Sequence, residues 1–214
     1  MTIGGISFDH VLPSDIEKNS FAIIDKELKE KGILVPEELI PVVYRVIHTT
    51  ADFDYVNTLA FSEDVLAKAD EALRNGAHIV TDTTMAYSGI NKRILAQFGG
   101  EAHCFIADPE VAKEAKERGM TRSAVSMEKA AAMNVPLIFA VGNAPTALIS
   151  LYEEIQKGFR PELIIGVPVG FVNVVPSKEL IMSTDVPYII NRGRKGGSNV
   201  AAAIVNALMY RNKR

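Results

Sequence analysis

The chain is poor in the residues that mark many function classes. Its 214 residues include one cysteine and no tryptophan, and only 7% are aromatic. The lone Cys104 excludes an intramolecular disulfide and any thiolate cluster for a metal. It lies in His103-Cys104-Phe105-Ile106, which reads as a buried strand, so a core thiol is expected there. The four histidines, His10, His48, His78 and His103, show no paired ligand spacing, and no metal site is expected. No apolar run approaches the length of a membrane span. Residues 1–13 lack a basic stretch followed by an apolar core, so no signal peptide is expected. Together these absences point to a reducing, cytoplasmic setting. Lys and Arg number 23 against 26 Asp and Glu, a net charge of -3 that gives no electrostatic reason to expect nucleic acid. There is no Gly-x-Ser-x-Gly elbow, no Walker A loop and no Gly-x-Gly-x-x-Gly fingerprint.

What is present is an ordinary globular composition, 48% hydrophobic and 23% charged, enough for a sizeable core. Apolar residues at helical spacing predict a first helix over 14–31, stopped by Gly32. A second helix ends near His48. It begins at Pro36 or, because proline inside a helix is costly, at Pro41. A strand–helix alternation follows. Strands are predicted over 78–81, 102–106, 137–141, 163–167 and 188–190. Helices are predicted over 63–75, 89–98, 109–118, 122–133, 145–157, 177–182 and 198–210. Short strands, apolar on both faces and separated by helices, predict an α/β fold: one doubly wound, mainly parallel sheet with helices on both faces and a helical N-terminal elaboration. No linker or repeat interrupts it, so residues 1–214 are read as a single domain.

Ligands of such sheets bind beyond the carboxyl ends of the strands. The most chemical of these loops is Asn191-Arg192-Gly193-Arg194-Lys195-Gly196-Gly197-Ser198, three cations among glycines just before a helix. Glycines let a ligand approach the backbone, and a helix N-terminus offers free N–H groups, so anion binding is expected. A solvated basic turn is the plain alternative. Gly142-Asn143-Ala144-Pro145-Thr146 repeats that logic in neutral form, though capping of the next helix explains it almost as well. Gly166-Val167-Pro168-Val169-Gly170-Phe171 is a rigid apolar loop that suits the face of a flat ligand or a simple turn. His48 stands where an apolar helix gives way to the polar run Thr49-Thr50-Ala51-Asp52-Phe53-Asp54. Histidine titrates near neutrality and can move a proton there. A lone histidine is more often a hydrogen-bonded structural residue, so the local sequence leaves its role open.

Taken together, these segments resemble the precorrin-8X methylmutase family, which includes the cobalt-precorrin-8 methylmutases of cobalamin (vitamin B12) biosynthesis. The resemblance spans nearly the whole chain. It runs through Ser20-Phe21, Arg45-Val46-Ile47-His48-Thr49-Thr50-Ala51-Asp52-Phe53-Asp54, Asp82-Thr83-Thr84-Met85 with Ser88-Gly89-Ile90, and Thr121-Arg122-Ser123-Ala124. It continues in Gly142-Asn143-Ala144-Pro145-Thr146-Ala147-Leu148, the 166–172 loop, Ser177-Lys178-Glu179 and the 192–198 loop. Pro176 departs from it, because the family usually has Glu before Ser-Lys.

The resemblance implies an isomerase that moves a methyl group from C-11 to C-12 of the macrocycle, giving hydrogenobyrinic acid or cobyrinic acid. It implies His48 as the catalytic histidine, with Ser20, Ser88 and Arg122 lining the macrocycle site. Arg45, Gly89, Asn143, Arg192, Arg194, Lys195, Gly197 and Ser198 complete the expected substrate-binding set. Arginine holds carboxylates through paired, charge-assisted hydrogen bonds, and this substrate is fringed with them. Thr49, Thr50 and Asp52 are read as groups that orient the imidazole. The shift needs no redox cofactor, and any cobalt is carried by the substrate. A homodimer is implied, with no nucleic-acid or membrane partner. Two other readings stand beside it. One is a non-catalytic corrinoid carrier in which His48 ligates cobalt. The other is a nucleotide-binding α/β enzyme using Arg194 and Gly197, against which the glycine spacing already counts.

Overall fold

The computed structural model describes residues 2–3, 5–7, 12 and 15–212. His10 and Ser14 therefore lie outside the described residues. Two two-residue strands, β1 (Thr2–Ile3) and β2 (Ile6–Ser7), pair antiparallel. Then come α1 (Ile16–Glu30), a 3-10 turn at Glu37–Leu39 and α2 (Ile40–Thr50). Pro41 sits in the first turn of α2, where its missing N–H costs nothing. Ala51 takes a left-handed backbone (φ 52°) and ends the helix.

The alternating part comprises α3 (Tyr55–Thr58), β3 (Leu59–Phe61), α4 (Val65–Arg74), β4 (His78–Thr81), α5 (Thr84–Gly89) and α6 (Lys92–Gln97). It continues with β5 (Ala102–His103), α7 (Pro109–Arg118), α8 (Arg122–Ala131), β6 (Leu137–Val141) and α9 (Pro145–Gln156). It closes with β7 (Leu163–Gly166), α10 (Val174–Met182), β8 (Tyr188–Asn191) and α11 (Ser198–Arg211).

The main sheet has six strands in the order β3-β8-β7-β6-β4-β5. All neighbours pair in parallel except β3, which runs antiparallel to β8 with Leu59 opposite Asn191. The period-2 alternation of strands divides the core in two. Ile138, Ala140, Leu163, Ile165 and Ile189 face α2, α4 and α11. Leu137, Phe139, Val141, Ile164 and Ile190 face α8, α9 and α10. Burial on both faces is why these strands read as continuous apolar runs.

Three sequence expectations need correction, and one element is new. The helix expected over 89–98 is confined to α6, Lys92–Gln97, and a separate helix, α5, forms before it over Thr84–Gly89, in what the sequence suggests is a loop. Thr83 accepts a hydrogen bond from Ala86 N–H to cap α5, Asn91 accepts one from Ile94 N–H to cap α6, and the chain breaks between them. The strand expected over 102–106 stops at His103, because β5 is an edge strand with only β4 to pair with. Cys104 lies just beyond it and is half-buried rather than in the core. The antiparallel strand β3 was not foreseen, since three residues carry too little pattern to announce a strand.

Candidate active site

The chain crosses from β4 to β5 on one side of the sheet and then back to β6 on the other, so the strand order reverses between β4 and β6. Such a reversal opens a crevice at the carboxyl ends of the two strands. Here a carboxylate fills its floor. Asp82 is buried and accepts hydrogen bonds from the N–H groups of Gly142 (2.9 Å), Asn143 (2.8 Å) and Ala144 (2.7 Å). Burial pushes the Asp82 carboxyl up, and the three N–H donors oppose that. Above it the loops close on one another. Thr83 and Ser198 hydroxyls lie 2.8 Å apart, and a Cβ on Gly142 would come within 2.6 Å of the Ser198 Cα. Gly196 is equally confined, since a Cβ there would meet the Val167 carbonyl oxygen at 2.0 Å. These glycines allow backbone to meet backbone. They are not ligand-facing gaps.

That corrects part of the sequence reading. Gly197 and Ser198 are buried, Gly197 N–H donates to the Val167 carbonyl, and Ser198 is committed to Thr83. Lys195 is no free cation either. Its Nζ lies 2.7 Å from Asp52 and 3.0 Å from Asp54. Asp52 therefore serves Lys195 and the Asp54 N–H, and Thr50 donates to the Val46 carbonyl, so neither orients His48.

The basic loop is braced from below by a group the sequence reading passed over. Lys178 is 1% exposed, and its ammonium donates to the carbonyls of Gly193 (2.8 Å) and Lys195 (2.9 Å). Burial pushes it down to about 8, and it has no carboxylate partner among the described residues. The signal was there. Val174, Ser177, Lys178 and Ile181 form the buried stripe of α10 at helical spacing, with a lysine in it. Asn191 adds a second brace. Its amide donates to the Lys195 carbonyl and its oxygen accepts from the Thr58 hydroxyl. Pro176 is exposed in the first turn of α10, where proline is tolerated.

The groups above this floor are less committed. β3 starts opposite the carboxyl end of β8, so the chain from α2 to β3 lies at the same sheet edge. It brings His48, exposed on the last turn of α2, to that edge. The His48 ring meets the Phe21 ring edge to face, with centroids 5.9 Å apart. Among the described residues neither of its nitrogens has a hydrogen-bond partner. Arg45, one turn earlier, pairs with Glu17 and lies over the Tyr210 ring at 4.8 Å. It shares a shallow cleft of about 310 Å³ with Thr49, Met85, Gly89 and Asn199. Ser20 donates to the Ile16 carbonyl within α1, next to Phe21. Ser88 is exposed near the end of α5, and Asn143 is exposed on the loop after β6. Arg192 and Arg194 are exposed and unpaired among the described residues, and Arg194 stacks on Phe171 at 5.4 Å. Phe171, Val172 and Met85 are 84%, 79% and 68% exposed, an apolar rim with nothing over it. Arg122 is also exposed at this edge, but on α8, across the sheet from His48.

A cleft of about 440 Å³ lies elsewhere. Glu38, Asp64 and Asp70 line it, and Arg211 there is already paired with Asp70. An anionic ligand has no reason to enter it.

The Precorrin-8X methylmutase family model matches residues 15–211. The chain belongs to the precorrin-8X methylmutase family. The family's members are isomerases. The chain is 47% identical over 205 residues to the cobalt-precorrin-8 methylmutase of Salmonella typhimurium, covering 92% of this chain and 95% of that one. It is 41% identical over 196 residues to the precorrin-8X methylmutase of Pseudomonas aeruginosa, covering 90% and 93%. The crystal structure of the Thermus thermophilus precorrin-8X methylmutase superposes with a TM-score of 0.83 at 38% identity, over 92% and 96% of the two chains. For this methylmutase-family chain, the floor of the candidate site is built from buried, mutually satisfied groups, and the rim presents exposed apolar side chains with an imidazole and two guanidiniums that have no hydrogen-bond partner among the described residues.

Proposed function

We propose that this chain converts precorrin-8X or its cobalt form to hydrogenobyrinic or cobyrinic acid in cobalamin biosynthesis, with His48 as general acid–base. The C-11–methyl bond breaks, the C-12–methyl bond forms, and the formula is unchanged. His48 moves a proton on the macrocycle so that its π system rearranges around the migrating methyl. The observation that carries this reading is the uncommitted His48 imidazole at the carboxyl edge, supported by Phe21 and standing at the same edge as two unpaired arginines. Arg192, Arg194 and Arg122 hold the peripheral carboxylates. Phe171, Val172 and Met85 meet the ring face.

No cofactor is needed, and cobalt, where present, arrives with the substrate. The cleft beside Arg45 is only about 310 Å³, small for a macrocycle, and the apolar rim is open. A second copy of the chain therefore completes the pocket, and the working form is a homodimer. A reducing cytoplasmic setting suits the single cysteine. Among the described residues no helix is long and apolar enough to cross a membrane.

The test is His48→Ala assayed with both substrate forms. It is expected to keep corrinoid binding while turnover falls about 100- to 10,000-fold. Normal turnover by the variant would remove His48 from the chemistry. Binding without isomerisation by the unmodified protein would favour a carrier.

A further inference from the structure

His78 and His103, 25 residues apart in the sequence, are neighbours in the fold. β4 and β5 pair in parallel with Ile79 opposite Ala102 and Val80 opposite His103. Alternation along the two strands then sets His78, Val80, Glu101 and His103 on one face of the sheet. His78 Nδ1 and His103 Nε2 are 2.8 Å apart, and a Glu101 carboxylate oxygen joins them so that all three ligand atoms lie within 4.8 Å of one another. Both imidazoles are half-buried and Glu101 is exposed. Phe105 closes one side, with its ring stacked on His103 at 5.9 Å. Sequence spacing does not announce this grouping, because it is the parallel ladder that brings the two histidines together.

We propose that His78, Glu101 and His103 bind a divalent transition-metal ion of the zinc class. Two imidazoles and a carboxylate are a suitable donor set for zinc, with a fourth position left to water. Ligand atoms around a tetrahedral ion with bonds of about 2.0–2.1 Å stand roughly 3.3 Å apart. The histidine pair must open by a few tenths of an ångström, and the exposed Glu101 must swing in. Whichever ring donates the hydrogen bond must move that proton to its outer nitrogen, so that both inner lone pairs face the ion. The site lies at the start of β4, at the other end of the strand from Asp82 and the rim, so it is independent of the methylmutase reading. An ion here would fasten the two-residue edge strand β5 to β4.

The experiment is a Zn²⁺ titration of the full chain after chelator treatment, by calorimetry and by thermal unfolding. One ion per chain is expected, with a rise in melting temperature that EDTA reverses. Both should vanish in His103→Gln and weaken in Glu101→Gln, while corrinoid binding is retained. Co²⁺ in place of Zn²⁺ should give the visible bands of a four-coordinate site. His78→Gln is the third variant. If it is unstable, the other two still decide the matter, and circular dichroism reports whether each is folded. Absence of saturable uptake, or uptake unchanged in His103→Gln and Glu101→Gln, would overturn the proposal.

Discussion

The floor and the rim of the carboxyl edge use polar groups in opposite ways. On the floor, Asp82 is surrounded by three N–H donors, Lys178 by two carbonyls, and Asn191 by a hydroxyl and two carbonyls. Each is buried, and each spends its hydrogen bonds on backbone or on a neighbour. On the rim, His48, Arg192 and Arg194 are exposed, and among the described residues their side chains have no hydrogen-bond or ion-pair partner. A buried polar group without partners is costly, so the floor must be satisfied before a ligand arrives. An exposed one costs little, so the rim can wait for substrate. On the function proposed above, the floor supplies preorganisation and the rim supplies the chemistry.

The comparison is sharpened most by His48→Ala, whose expected loss of turnover corresponds to about 3–5 kcal/mol of transition-state stabilisation. Its unfolding free energy, measured in urea, should stay within about 1 kcal/mol of the parent, as for an exposed residue that has no hydrogen-bond partner among the described residues and loses one edge-to-face contact with Phe21. Asp82→Asn should behave in reverse. It turns an amide N–H₂ toward backbone N–H donors and should cost about 3 kcal/mol of stability, read as a lower urea midpoint. If Asp82→Asn were as stable as the parent, the floor would not be a satisfied brace.

Arg194→Ala should weaken corrinoid binding about tenfold, with a shallower salt dependence and unchanged stability. The smallest effect separates Lys178 from a surface lysine. Its folded value near 8 is below the ordinary 10.5, so the unfolded chain binds more protons between the two. Stability therefore rises as pH increases through that window. Lys178→Met should flatten that rise in urea titrations taken from pH 7 to 10. An unchanged pH slope in the variant would place the titration on another group.

Much of the scaffold was legible in the sequence. β4, β6 and α7 occupy the predicted residues because their signals are local: continuous apolar runs, or Asp108 and Pro109 at one helix end and Gly119 at the other. The edge elements were not, since the length of β5 and the existence of β3 depend on which neighbour each finds. His48 and the arginines of the 192–194 loop were legible as residue types in suggestive places. Their freedom was not. Lys195, Gly197 and Ser198 looked equally available in the sequence, and folding commits all three to other parts of the protein.

By itself the sequence determined the alternation of elements, the parallel sheet that follows from it, and the family, because these rest on short-range pattern and on block-by-block similarity. Only the tertiary structure decided which polar groups are spent and which remain. It turned Asp82 and Lys178 into braces, tied Asp52 to Lys195 and set His78 against His103. The physical reason is that a hydrogen bond or ion pair needs a partner within about 3 Å, and in a doubly wound sheet those partners come from segments tens of residues away.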